Sequence, residues 1–272
     1  MSIGKRPASV LTQVYSSARR SGLLRTRMGS WLFASSYRLY KRYLEDPFHA
    51  LAQRHPELFR GGHALDIGAN IGYTSTVFAR AIEPAYRVYS FEPEEFNFLL
   101  LLRCAQSRTI GGRIVSIQTA IGAEDGTIEL WRNQDHHADH RVLTKRLRES
   151  GVNSNAVRVP ITKIDTFARK NALQPIGFIK IDVQGYEFPV CKGMEQTLAE
   201  NPNAVIALEY APDAMIELGF EPEEIRRWLG LRGYMVYALA RNGRLTSGIP
   251  SDLSRTGYVD LVFSRRSIST DA

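Results

Sequence analysis

The segment Asp66-Ile67-Gly68-Ala69-Asn70-Ile71-Gly72-Tyr73-Thr74 constrains the fold more than any other stretch of the chain. It joins a short apolar run over residues 64–67 to a stretch in which Thr74, Val77, Phe78 and Ala81 recur at helical spacing. A strand that turns through glycines into a helix opens a parallel βαβ unit. In open α/β sheets such a turn lies at the carboxyl edge, where ligands bind. Gly68 and Gly72 carry no side chain, so backbone there can approach a ligand, or the helix start can pack close to its strand.

The same rhythm continues along the chain. Apolar runs predict strands over residues 87–91, 114–120, 176–181, 204–208, 234–239 and 258–263. Helical spacing falls between them, through Phe96, Leu99, Leu100 and Cys104 and over residues 187–198 and 222–231. Strands alternating with helices mean an α/β fold with a doubly wound, mostly parallel sheet. An insertion follows the third strand, with strands at 127–131 and 157–161 and a polar loop over 135–141.

With 272 residues, 44% of them hydrophobic, the chain can bury one substantial core. Charged residues at 23% and aromatics at 10% exclude a disordered or disulfide-built protein. The net charge of +7 suggests nucleic acid until it is located: nine Lys and Arg sit in residues 1–44, which hold no Asp or Glu. The remainder is slightly acidic, so the basic arm points to an anionic surface rather than to a cationic channel. Residues 1–30 read as a flexible basic arm with some character of an organelle transit peptide, and 31–60 as a helical cap. Residues 61–272 read as the α/β domain. In the cap Phe33, Tyr37, Tyr40 and Leu44 share a helical face, which either packs on the core or rests peripherally on a membrane. The longest apolar run near the start, Trp31-Leu32-Phe33-Ala34, is too short for a secretory signal. Cys104 and Cys191 lie in apolar helical patterns and read as buried free thiols, which suits a cytoplasmic protein.

Glu92 ends the second strand, where an acidic side chain can accept hydrogen bonds from both hydroxyls of a ribose. The dinucleotide pattern G-x-G-x-x-G fails, because Asn70 and Tyr73 stand at its second and third glycines. The phosphate-loop pattern fails too, since Tyr73 replaces its second glycine and no Lys follows. A nucleoside without a phosphate chain remains. S-adenosylmethionine satisfies this, with its ribose at Glu92 and its amino-acid portion at Asp66 and the amides of the glycine turn.

Four blocks, DIGANIGYTS at 66–75, FEPEEFNF at 91–98, AIGAEDG at 120–126 and IKIDVQGYE at 179–187, resemble the FkbM family of S-adenosylmethionine-dependent methyltransferases. The resemblance covers roughly residues 60–240. It implies a Rossmann-like class I methyltransferase sheet of seven strands, order 3-2-1-4-5-7-6, with the last strand antiparallel and helices on both faces. It implies cofactor contacts at Asp66, Gly68, Asn70, Gly72 and Glu92, with Ala120 near the adenine. Gln184 departs from the pattern, giving DVQG where the family often has DVEG.

Asp182 and Glu187 flank the Gly185 turn at the same sheet edge as Gly68. Either carboxylate can orient an acceptor, hold the cofactor's amino group, or take a proton from an acceptor hydroxyl. Glu187 can equally serve as a first-turn acid of its helix. The insertion brings His136, His137 and His140 together with Asp135 and Asp139. An imidazole there, His140 foremost, can act as the base; the cluster can also bind a metal or remain a solvated loop, and no residue is assigned to a metal. Arg141 can grip an anionic acceptor. Catalytic candidates are therefore His140, Asp182 and Glu187, with a small-molecule or carbohydrate hydroxyl as acceptor. Two rivals stand beside this O-methyltransferase. One is a nucleic-acid methyltransferase, disfavoured because the chain lacks a [DN]-P-P-[FY] tetrad for an extruded base. The other is a noncatalytic module that docks through the arm.

Overall fold

The computed structural model describes residues 46–132, 140–152, 155–250, 253 and 257–270. The basic arm, the amphipathic stretch from Phe33 to Leu44, and Asp135, His136, His137 and Asp139 lie outside these residues. In chain order the elements begin with α1 (Phe48–Arg54), a 3-10 turn (Pro56–Phe59), β1 (His63–Ile67), α2 (Tyr73–Ala81), β2 (Val88–Phe91), α3 (Glu95–Ala105) and β3 (Ile114–Ile117). The insertion holds β4 (Ala120–Ile121), β5 (Gly126–Trp131), β6 (Arg141–Val142), α4 (Lys145–Glu149) and β7 (Ala156–Thr162). Then come α5 (Ile164–Lys170), β8 (Ile176–Ile181), α6 (Glu187–Lys192), α7 (Glu195–Glu200), β9 (Val205–Tyr210), α8 (Pro212–Leu218) and α9 (Pro222–Gly230). The last elements are β10 (Met235–Leu239), β11 (Leu245–Ser247) and β12 (Val259–Ser264).

The main sheet has the order β11-β10-β12-β9-β8-β1-β2-β3. β1, β2, β3, β8 and β9 pair in parallel, and β12 runs antiparallel to both β9 and β10. The expected 3-2-1-4-5-7-6 order is thus present. The count is eight strands rather than seven, because the Ala240–Arg244 turn, with Gly243 at φ 80°, folds β11 back onto β10.

The central strands bury both faces, which is why they read as continuous apolar runs. Leu65, Ile67, Ile179 and Ile181 face a core shared with Val190, Leu198, Ile225 and Leu229 of the helices on one side. Ala64 and Phe178 face the opposite core with Val77 and Phe78 of α2. Phe59 stacks on Phe178 at 4.4 Å, and Phe48 meets Phe78 edge-on at 5.6 Å, so the described residues 46–59 pack on this core. Both cysteines are buried and free.

Two sequence expectations change. The strand over 114–120 divides: β3 stays in the main sheet, while Thr119 bends the chain and donates its hydroxyl to Pro160 O. Ala120 and Ile121 then pair with β7 in a second sheet, β4-β7-β5-β6, closed over Leu130, Val142, Val159 and Ile161. The helix over 187–198 breaks at Gly193, where a Cβ would stand 1.9 Å from Gly122 O.

Candidate active site

Side chains alternate along a strand, so Asp66 and Lys180, paired in register, emerge beneath the start of α2. Ser90 is the register partner of Asp66 on the other side. These three buried residues form a polar row across the central strands. Thr74 and Ser75, in the first turn of α2, donate to Asp66 Oδ2 at 2.8 and 2.6 Å, and Ser90 donates to the Ser75 hydroxyl at 2.9 Å. Lys180 Nζ lies 3.4 Å from Asp66 Oδ1, 3.3 Å from Asp182 Oδ2, and donates to Gly68 O at 3.0 Å. One ammonium therefore ties the ends of β1 and β8 together.

The glycine turn is built for close backbone packing. Gly68 has φ 78°, and a Cβ there would stand 1.8 Å from Asp182 O. Gly72 has φ 84°, and its Cβ would meet Leu101 of α3 at 2.7 Å. The turn's amides are spent internally: Gly68 and Ala69 both donate to Phe91 O, Gly72 to Ala69 O, and Asn70 to Glu92 Oε2 at 2.9 Å. The two glycines answer to neighbouring backbone and side chains, the close-packing reason for glycine at these positions. Glu92 also accepts from Glu94 N at 2.9 Å. Burial pushes its carboxyl up to about 8 against those two amide hydrogen bonds.

A small cleft of about 60 Å³, partly open to solvent, sits over this edge. Gly68, Asn70, Lys180 and Asp182 line it, together with Asp46, Glu209, Tyr258 and Asp260 from distant segments. Asn70 Oδ1 is buried and accepts no hydrogen bond among the described residues. Asp182 is one-third exposed. Gln184 donates through Nε2 to Asp182 Oδ1 and to Glu209 Oε2, both at 3.0 Å. The Gln that replaces the family's frequent Glu is thus an amide bridge between two carboxylates.

Of the sequence candidates, Gly68, Asn70 and Asp182 line the cleft, while Gly72, Glu92, Asp66, Ala120, Glu187 and His140 do not. Three of these have other surroundings. Asp66 is fully buried, with Thr74 and Ser75 donating to Oδ2 and Lys180 Nζ 3.4 Å from Oδ1, which anchors the start of α2. Glu187 is 1% exposed, accepts from Val183 N and Gly185 N, and has its carboxyl pushed up to about 7, chiefly by burial. It holds the 183–186 turn through Oε1. Ala120 is buried in the second sheet, away from the cleft lining. His140 directly precedes β6, and Arg141 pairs with Glu217 of α8 at 2.5 Å instead of facing an open anion site. Sequence reasoning missed Lys180, Glu209 and Asp260; the lone lysine inside the apolar run 176–181 was the available signal. Among the described residues no group of three or more His, Cys, Asp or Glu could hold a metal ion.

This strand order, with the cleft at the carboxyl ends of β1 and β8, defines a Rossmann-like class I methyltransferase fold. Residues 66–236 match the family described as the methyltransferase FkbM domain, and the chain belongs to that family. A curated relative, the 31-O-demethyl-FK506 methyltransferase FkbM of Streptomyces tacrolimicus, is 26% identical over 163 residues, 51% of this chain and 62% of the relative. The methyltransferase FkbM structure from Methylobacillus flagellatus aligns with a TM-score of 0.48 at 16% identity, covering 84% of this chain and 50% of that one. A methyltransferase structure from Geobacter sulfurreducens aligns with a TM-score of 0.48 at 13% identity, covering 88% and 97%. The chain thus spans only part of the length of the first two.

Proposed function

We propose that this chain is an S-adenosylmethionine-dependent O-methyltransferase whose acceptor is a hydroxyl on a sugar, glycolipid or secondary metabolite. The observation that carries the reading is Asn70 Oδ1, a buried acceptor with no donor among the described residues, in the lining of a cleft that also holds Asp182. Buried polar atoms are nearly always satisfied, so this one fits a hydroxyl or ammonium of a ligand. Glu92, which fixes the Asn70 amide, keeps a second lone-pair site on each oxygen for ribose hydroxyls. Asp182 and Glu209 in the lining can accept hydrogen bonds from the ammonium of a cofactor.

S-adenosylmethionine supplies an electrophilic methyl group on a sulfonium. The protein's part is to align the acceptor oxygen, exclude water and receive a proton. Asp182, with Lys180 on one oxygen and Gln184 on the other, is the carboxylate placed to take the hydroxyl proton. The curated relative, named for 31-O-demethyl-FK506, supports an oxygen acceptor. The buried thiols support a reducing, cytoplasmic setting.

Calorimetry with S-adenosylmethionine, beside an assay for S-adenosylhomocysteine formed from fractionated cell metabolites, tests the reading. Binding by the wild type, at least about tenfold weaker in Glu92→Ala, is expected from lost ribose hydrogen bonds to a charged group. Unchanged affinity in that variant, or no product with any fraction, overturns it.

A further inference from the structure

We propose that Gln184 is a positioning residue that fixes the Asp182 carboxylate for the acceptor, an inference resting on the methyltransferase reading above. Asp182 is held on both oxygens: Lys180 Nζ lies 3.3 Å from Oδ2, and Gln184 Nε2 donates to Oδ1 at 3.0 Å. The same amide nitrogen donates to Glu209 Oε2 at 3.0 Å, so each of its two hydrogens serves a different carboxylate. A carboxylate restrained at two points keeps one orientation, which in-line transfer requires of the group that meets the acceptor.

The turn that presents Gln184 is over-determined. Gln184 adopts φ 55°, a left-handed conformation uncommon for a residue with a side chain. Gly185 follows at φ 99°, where a Cβ would stand 2.6 Å from Ala214 O. Glu187 Oε1 accepts from the amides of Val183 and Gly185 and closes the turn from within. Glu187, read from sequence either as a catalytic candidate or as a first-turn acid of its helix, thus supports the support.

A glutamate at 184 would keep the shape, remove both donors and add a third carboxylate beside Asp182 and Glu209. Carboxylates so close cannot all ionise, and one proton is shared among them. A residue that merely braces a turn would show no such titration.

Gln184→Glu and Gln184→Met are compared with the wild type. S-adenosylmethionine affinity is measured by calorimetry, and S-adenosylhomocysteine release is followed from pH 5 to 9 with a small-metabolite extract as acceptor source. Both variants are expected to bind cofactor within threefold of wild type. Gln184→Met loses about 10- to 100-fold in kcat at every pH, the scale of a misplaced reacting group. Gln184→Glu loses as much at pH 8 and recovers toward pH 5, when the shared proton restores a donor to Asp182. Superposable pH profiles for Gln184→Glu and wild type overturn the proposal. So do losses that track cofactor affinity or melting temperature. A wild type that binds cofactor and releases no product overturns the methyltransferase reading, and this proposal falls with it.

Discussion

Replacing Lys180 by Met removes the one ammonium shared by Asp66, Asp182 and the Gly68 carbonyl. Asp66 is 0% exposed, so its charge cannot turn to water. Breaking a buried pair from one side costs about 3–5 kcal/mol. The hydroxyls of Thr74 and Ser75 still hold Asp66 Oδ2, which places the expected loss near the lower end, about 3 kcal/mol. For a domain of this size that lowers Tm by about 6–12 °C. Urea titration at pH 7, followed by tryptophan fluorescence and circular dichroism, measures the loss. The companion Asp66→Asn, alone and combined with Lys180→Met, completes a double-mutant cycle. The pair is expected to couple by at least about 2 kcal/mol, with the double variant more stable than Lys180→Met alone. A single-variant cost under about 1 kcal/mol with coupling below about 0.5 kcal/mol would refute the view that this row is a buried electrostatic unit.

Three further outcomes follow from buried or capped carboxyls. Glu92, pushed up to about 8, is mostly protonated at pH 7, and ribose donors favour its charged form. Cofactor binding near pH 7 should release up to about one proton, seen as buffer-dependent enthalpies that vanish in Glu92→Gln; equal enthalpies in the wild type would exclude the ribose contact. Glu187, raised from 4.5 to about 7, binds more protons folded than unfolded, so its contribution is full below about pH 4.5 and fades as pH rises through 7. Glu187→Gln keeps an acceptor for the turn and should flatten the decline of stability between pH 5 and 7; an unchanged slope would count against it. Asp125 accepts from Lys163 N, Thr162 Oγ1 and Thr166 Oγ1 at the start of α5, acting as a cap from another segment. Asp125→Ala should lower Tm by a few degrees, and the deficit should shrink as pH falls from about 4 through about 2, where these hydrogen bonds hold its pKa.

The fold was legible where burial imposed a simple pattern. β8 and β9 are enclosed on both faces and read as apolar runs, and Pro222 begins α9 where a helix tolerates proline. The division after β3 was hidden, because residues 114–120 keep the same apolar character across two sheets and only Thr119 marks the bend. Gly68 and Gly72 were found by position, and close packing was one of the two reasons the sequence offered for them. Their partners, the Asp182 carbonyl and Leu101, come from elements that only the tertiary fold brings near. Glu187 illustrates the same limit, since an acid in a first turn reads alike whether it faces solvent or is enclosed. Glu209 and Asp260 face each other through the β9–β12 register, a pairing set by strand order and invisible to local spacing.

The contact of Gly193 with Gly122 joins the appended sheet to the main domain with no side chain between them. Such a joint has no slack, and bulk at either glycine would act as a wedge. α6 carries Gly193 at one end and the Gln184–Gly185 turn at the other. The appended sheet and the turn that presents Gln184 are therefore bound to the two ends of one short helix.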